Sequence, residues 1–61
     1  MDYKNIKFNV NDKVTLKYDV DKIVYTILDC SDIYNICICA VINGKETIKV
    51  TDGINLELVT N

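Results

Sequence analysis

The chain has 61 residues, a formal charge of −2 at pH 7 and a pI of about 4.7. All seven of its basic residues are lysines, and it contains no histidine, arginine or proline. These absences exclude a serine or cysteine nucleophile paired with an imidazole base, and a guanidinium clamp for phosphate. We therefore expect a protein that is not an enzyme and that carries no cofactor.

The composition favours β-sheet. Sixteen residues are Ile or Val and five are Thr, against a single Ala, and β-branched residues suit a pleated sheet better than a helix. A chain of this length has room for one domain, which we expect to span residues 1–61 with residues 1–7 as a loosely ordered lead-in.

Features of targeting and redox chemistry are few. No apolar run is long enough to span a bilayer, and the polar stretch from Met1 to Lys7 is not a signal peptide. The three cysteines have no framework spacing and are expected to be reduced. The sequence therefore predicts a cytoplasmic location with no membrane contact.

The first strand is predicted at Lys13–Tyr18, after a turn at Asn11–Asp12. Alternation of apolar and polar residues is typical of a half-buried strand. The residues that can share its apolar face are Phe8, Val10, Val14, Leu16 and Tyr18.

The segment from Ile23 to Cys30 is ambiguous. Its apolar residues recur at helical spacing and Asp21 could cap a helix, but Ile-Val-Tyr-Thr-Ile is a poor helix interior because four of the five residues are β-branched. We predict a strand, with a helix as the alternative.

A β-hairpin is predicted over residues 35–51. Asn43-Gly44 lies between two β-branched runs and suits a type I′ turn, because both residues tolerate positive φ. With a two-residue loop, Ile42 faces Lys45 and the first strand is apolar on both faces. A three-residue loop would slip the register by one residue. In the preferred register one face carries Cys37, Cys39, Val41, Ile48 and Val50, and the other carries Ile36, Ile38, Ala40 and Ile42.

The end of the chain is predicted to contain a one-turn 3-10 connection over residues 51–55 and a last strand at Leu56–Val59. Gly53 is expected to supply backbone freedom in this turn, and Ile54 is expected to point inward.

This order of five strands is that of an SH3-like small barrel. The motifs Phe8-x-Val10-x-Asp12-x-Val14-x-Leu16-Lys17, Tyr25-Thr26-Ile27, Cys39-x-Val41-Ile42-Asn43-Gly44-Lys45 and Leu56-Glu57-Leu58-Val59 resemble the YodC-like small bacterial proteins. Those proteins usually carry Gly-Asp at Asn11-Asp12, Gly-Gly-Pro within residues 18–22, and Trp at Val41. The resemblance implies an SH3-like barrel and the preferred hairpin register, and it implies no active residues.

The second apolar face of the central strand is the strongest candidate site. An apolar outer face must be covered by the first loop, by the N-terminal segment or by another chain. We predict a protein–protein interface, with an unidentified protein or a second copy as partner, at Ile36, Ile38 and Ile42.

Lysines on two predicted strands give the alternative function. Small barrels can bind nucleic acid through phosphate contacts, although the acidic total and the lack of an exposed aromatic beside the lysines oppose this reading. The candidate contacts for nucleic acid or a ribonucleoprotein are Lys13, Lys17, Lys45 and Lys49.

Other candidates are weaker. Cys37-x-Cys39 with Cys30 falls short of four zinc ligands, so we expect core packing and no metal site. Tyr18 and Tyr25 are expected to be partly buried edges of the core, because a proline-binding groove normally also uses Trp and Pro.

Overall fold

Residues 8–59, the part of the chain that the computed structural model describes, form one antiparallel sheet of five strands in the order β4-β3-β2-β1-β5. The lead-in predicted at residues 1–7 lies outside the described residues. The strands are β1 Lys13–Leu16, β2 Tyr25–Asp29, β3 Ile36–Ile42, β4 Lys45–Thr51 and β5 Leu56–Leu58, with a 3-10 turn at Gly53–Asn55.

The predicted all-β class is confirmed. Strands β4 and β5 are the two edges of the sheet, which does not close on itself within residues 8–59. The helical structure in these residues is limited to the single 3-10 turn, which is far from the length and hydropathy of a membrane-spanning helix.

The turn before β1 is confirmed and is held from both sides. The Asp12 N–H donates to the Asn9 carbonyl at 3.0 Å, and the Asn9 N–H donates to the Asp12 carboxylate at 2.9 Å. Asn11 has φ 77°, which Asn tolerates better than most residues. Because the chain turns here and β1 ends at Leu16, Val10 and Tyr18 are exposed instead of sharing the buried face.

The hairpin has the predicted two-residue loop and register. Ile42 pairs with Lys45, Cys39 with Ile48, and the ladder runs without interruption to Ile36 and Thr51. Asn43 and Gly44 have φ values of 53° and 79°, as a type I′ turn requires at both central positions.

The segment from Ile23 to Cys30 forms a strand, as predicted, and not a helix, but the strand is limited to Tyr25–Asp29. Its register against β3 shifts between Ile27 and Asp29, where one extra residue forms a β-bulge. Ile27 faces Ile38 and Thr26 faces Cys39. This pairing sets which face of β3 points toward the core.

The connection into β5 is the predicted single turn, but two of its residues have other roles. The Asp52 carboxylate caps the turn by accepting from the Ile54 N–H at 3.1 Å. Ile54 is exposed, so its predicted inward position is wrong. Gly53 is buried and does not adopt positive φ; it is required by close packing, since a Cβ there would lie 2.9 Å from Ile33 Cδ1 and 3.1 Å from Ile36 Cδ1.

The core lies on one side of the sheet, where all strands except β4 contribute fully buried or nearly buried side chains. Ile23, Ile33, Ala40 and Ile42 pack around it, as does Cys30, whose thiol donates to the Phe8 carbonyl at 3.3 Å. The buried residues are Phe8, Val14, Leu16, Tyr25, Ile27, Ile36, Ile38 and Leu56.

Two carboxylates order the connection between β2 and β3. Hydrogen bonds from the Ser31 backbone and then its hydroxyl lower the pKa of Asp29. The side-chain amide of Asn35, followed by the Tyr34 N–H, lowers the pKa of Asp32. Both carboxylates are therefore held in the charged form that their turns require.

Gly53→Ala is expected to reduce the free energy of unfolding by about 1–3 kcal/mol, because the added methyl must displace Ile33 and Ile36. Urea unfolding measures this loss. Gly44→Asn is the control, since that turn position is open and Asn tolerates its φ of 79°. A Gly53→Ala variant as stable as the control would contradict the packing role.

The carboxylate turns predict a pH dependence. A pKa that is lower in the folded state gives stability that is complete above the unfolded pKa and is lost as the pH falls through the folded pKa. Asp32→Asn should therefore lose less stability than the wild type between about pH 6 and about pH 2. The urea midpoint of unfolding, measured across this pH range, tests the expectation, and Glu46→Gln on exposed β4 is the control. An equal change of midpoint with pH for Asp32→Asn and the wild type would refute it.

Candidate functional site

The interface predicted at Ile36, Ile38 and Ile42 is wrong. Ile36 and Ile38 are 0% exposed and belong to the core, and Ile42 packs against it. The cause lies in β2, because Ile27, which is itself fully buried, directly faces Ile38. Residues that face each other on neighbouring strands share a face of the sheet.

The opposite face of the β3–β4 hairpin is the exposed one. We call it the outer face. Val41 is 73% exposed, Ile48 57% and Val50 62%. The register places these side chains next to one another across β3 and β4, together with two partly exposed cysteines. The outer face therefore consists of Cys37, Cys39, Val41, Ile48 and Val50.

Polar side chains border the outer face. On the side of β1 and β2, Lys13 donates to the Thr26 hydroxyl at 2.9 Å, and Thr26 is paired with Cys39. Glu46, paired with Val41, borders it at the hairpin end. An exposed apolar patch with a polar border is the usual form of a protein-binding surface.

The cysteines occupy two environments, and the predicted core packing is found for Cys30 alone. Cys37 and Cys39 are free thiols on the outer face, and Cys30 is a free thiol at the margin of the core. Within residues 8–59 there is no group of three or more potential ligand side chains that could hold a metal ion.

The four candidate lysines do not form one surface. Lys13 lies on the side of Thr26 and the outer face, and Lys17 lies in the turn that follows β1. Lys45 and Lys49 pair with Ile42 and Ile38, so they point to the core side of β4. The thickness of the sheet separates Lys13 from Lys45 and Lys49.

A cleft opens where the β1–β2 connection approaches the hairpin. Its volume is about 400 Å³, and Tyr25 forms its floor while Tyr18 lies at its exposed side. The Lys49 Nζ atom lies 5.8 Å from the centre of the Tyr25 ring, a cation–π distance. The sequence indicates both tyrosines as candidates, but the position of Lys49 in the same cleft follows only from the pairing of β4 with β3.

The assignment of the two faces predicts a difference between matched substitutions. Ile38→Val should cost about 0.5–1.5 kcal/mol of unfolding free energy, because it leaves a gap in the core. Ile48→Val should stay within about 0.5 kcal/mol, because that side chain is exposed. Urea unfolding at low protein concentration compares them. Equal costs would contradict the assignment of the faces, and a larger cost for Ile48→Val would mean that the faces are reversed.

Comparisons with known proteins identify no relative of this chain. No protein-family model, no curated protein and no solved structure matches it. Its function must therefore be inferred from its own residues and geometry.

Proposed function

We propose that this protein is a non-enzymatic interaction module that binds apolar protein surfaces, including that of a second copy, through the outer face. The exposure of Val41, Ile48 and Val50 carries the proposal. Monomeric proteins rarely leave a contiguous apolar surface of this kind without using it. Full burial of an exposed Val or Ile side chain is favourable by about 1.5–3 kcal/mol, and more than half of the surface of each of these residues is still exposed.

The non-enzymatic part of the proposal rests on the full sequence. It has no histidine and no arginine, and its single serine, Ser31, donates its N–H to Asp29 in an exposed turn. General acid–base catalysis near neutral pH most often uses histidine. The free thiols favour a reducing compartment, and we propose the cytoplasm as the location.

We also propose an SH3-like architecture of the YodC-like kind. A three-stranded meander, a 3-10 turn before the last strand, and pairing of that strand with the first support this assignment. Asn11 gives further support, because its φ of 77° suits the Gly that YodC-like proteins usually carry there. The SH3-like assignment concerns the fold and implies no ligand.

The nucleic-acid alternative has weaker support. Phosphate binding gains from several cations on one surface, whereas here Lys13 lies on the opposite side of the sheet from Lys45 and Lys49. No feature of the described residues favours this second function over the first.

Light scattering over about a hundredfold range of concentration, with reductant present, tests the proposal. The mass is expected to rise above the monomer value of 7.0 kDa, and the rise should persist at about 1 M salt because apolar contacts are not screened. The double variant Val41→Ser/Val50→Ser should need at least about tenfold more protein to reach the same mass.

Val20→Ser is the matched control for these substitutions. Val20 is 93% exposed in the β1–β2 connection and is not part of the outer face. The proposal fails if the double variant associates like this control, or if the wild type remains monomeric at every concentration.

A further inference from the structure

Strand β4 is an open edge of the sheet. It has seven residues, pairs with β3 along its whole length without a bulge, and has no strand on its other side within residues 8–59. The opposite edge, β5, has only three residues. A long, regular edge strand is a template for pairing with another strand.

The hydrogen bonds between β2 and the residues just before β1 show which N–H and C=O groups of β4 point away from β3. The Ile27 N–H donates to the Asp12 carbonyl at 2.9 Å, and the Ile27 carbonyl accepts from the Asn11 N–H at 2.8 Å, so Ile27 faces the β1 side. Backbone groups of successive strand residues point to alternate sides. The N–H and C=O groups of Ile38, which is paired with Ile27, therefore point to β4. Those of Lys49, which is paired with Ile38, point to β3. The residues whose N–H and C=O groups point to the open edge are Glu46, Ile48 and Val50.

We propose that β4 of a second copy occupies this edge, antiparallel to the first, with a two-fold axis at Ile48. The proposal goes beyond the outer face, because it uses the backbone N–H and C=O groups along the edge of β4 and not the apolar side chains of the outer face. It commits to a second copy because the charges along β4 are compatible with themselves in this register.

Symmetry limits the registers to a few. The two-fold axis lies midway between the two copies of β4. Because the side chains of paired residues must point to the same face, the axis is level with one residue, which then pairs with its own counterpart, and not with the gap between two residues. An axis at Thr47 places Lys45 opposite Lys49 of the second copy, and an axis at Glu46 or Lys49 places that charge opposite itself. Like charges directly opposite each other are destabilising.

An axis at Ile48 avoids every such conflict. Ile48 faces its own counterpart on the outer side, and Glu46 faces Val50 of the second copy. On the core side, Lys49 faces Thr47 of the second copy and Lys45 faces Thr51. An axis at Val50 also avoids like charges, but the ladder would end after three residues, because β4 ends at Thr51.

The pairing joins two five-stranded sheets into one continuous sheet. Both outer faces then lie on the same side of it and meet at Ile48. Lys49 does not obstruct the edge, because its ammonium group lies over the Tyr25 ring of its own chain.

Amide hydrogen exchange of the full chain, followed by NMR at low and high concentration, tests the occupant. The amides of Glu46, Ile48 and Val50 should exchange at least about tenfold more slowly at high concentration. Those of Thr47 and Lys49, which face β3, should not change. Exchange rates that are independent of concentration would overturn the proposal, whether the three amides are always open or always covered by the chain's own termini.

Charge substitutions at Thr47 test the register. Thr47→Lys places a lysine opposite Lys49 of the second copy twice per dimer and should raise the dimer Kd at least about tenfold, whereas Thr47→Glu should lower it. The exchanged variant Thr47→Lys/Lys49→Thr has the same net charge as the wild type, restores a Lys–Thr pair and should dimerise like the wild type.

The two proposals can fail separately. Thr47 and Lys49 point away from the outer face, so unchanged dimerisation of Thr47→Lys would overturn the register at Ile48 and leave the outer-face proposal standing. Conversely, normal association of Val41→Ser/Val50→Ser together with slowed exchange at Ile48 would support edge pairing and reject the outer face. Circular dichroism of each variant confirms that the sheet is retained.

Discussion

The two left-handed residues of the hairpin loop set the register of β3 against β4, and both faces of the sheet depend on it. Asn43 and Gly44 adopt φ values of 53° and 79°, which allow a loop of only two residues. A slip of one residue would place Lys49 opposite Cys39 and would force one of them to the wrong side of the sheet. With the register fixed, every apolar side chain of β4 lies on the outer face, and every lysine of β4 lies on the core side.

The core is nevertheless apolar, because β4 lies at the edge of the sheet and contributes none of its buried side chains. Leu16, Tyr25 and Leu56, which come from three other strands, are buried in the core. Lys49 remains near the rim of the core, with its cation over the Tyr25 ring. An edge strand can carry polar residues on its inner side, since it covers little of the core.

Short-range chemistry in the sequence accounts for much of the fold. It predicts the hairpin and its register, the strand character of residues 25–29 and the turn before β5, all of which depend on neighbouring residues. The choice of face was not predictable in this way. Strand β3 is apolar on both faces, and the apolar residues of β4 suggest the wrong one. The deciding contact is Ile27 against Ile38, a pairing between two strands that has no local signal in the sequence. Gly53 is similar, because the side chains that require it come from residues 33 and 36.

The pairing of β1 with β5 has a consequence for the order of folding. Strands β2, β3 and β4 meet through short connections, whereas Leu16 and Leu56 are separated by most of the chain. Closing a long loop costs more entropy than closing a short one, so contacts between distant residues tend to form late. We therefore expect the meander to form before β5 docks on β1. While β5 is undocked, Val14 and Leu16 lack their partners Leu58 and Leu56, and β1 takes the place of β5 as an edge of the sheet.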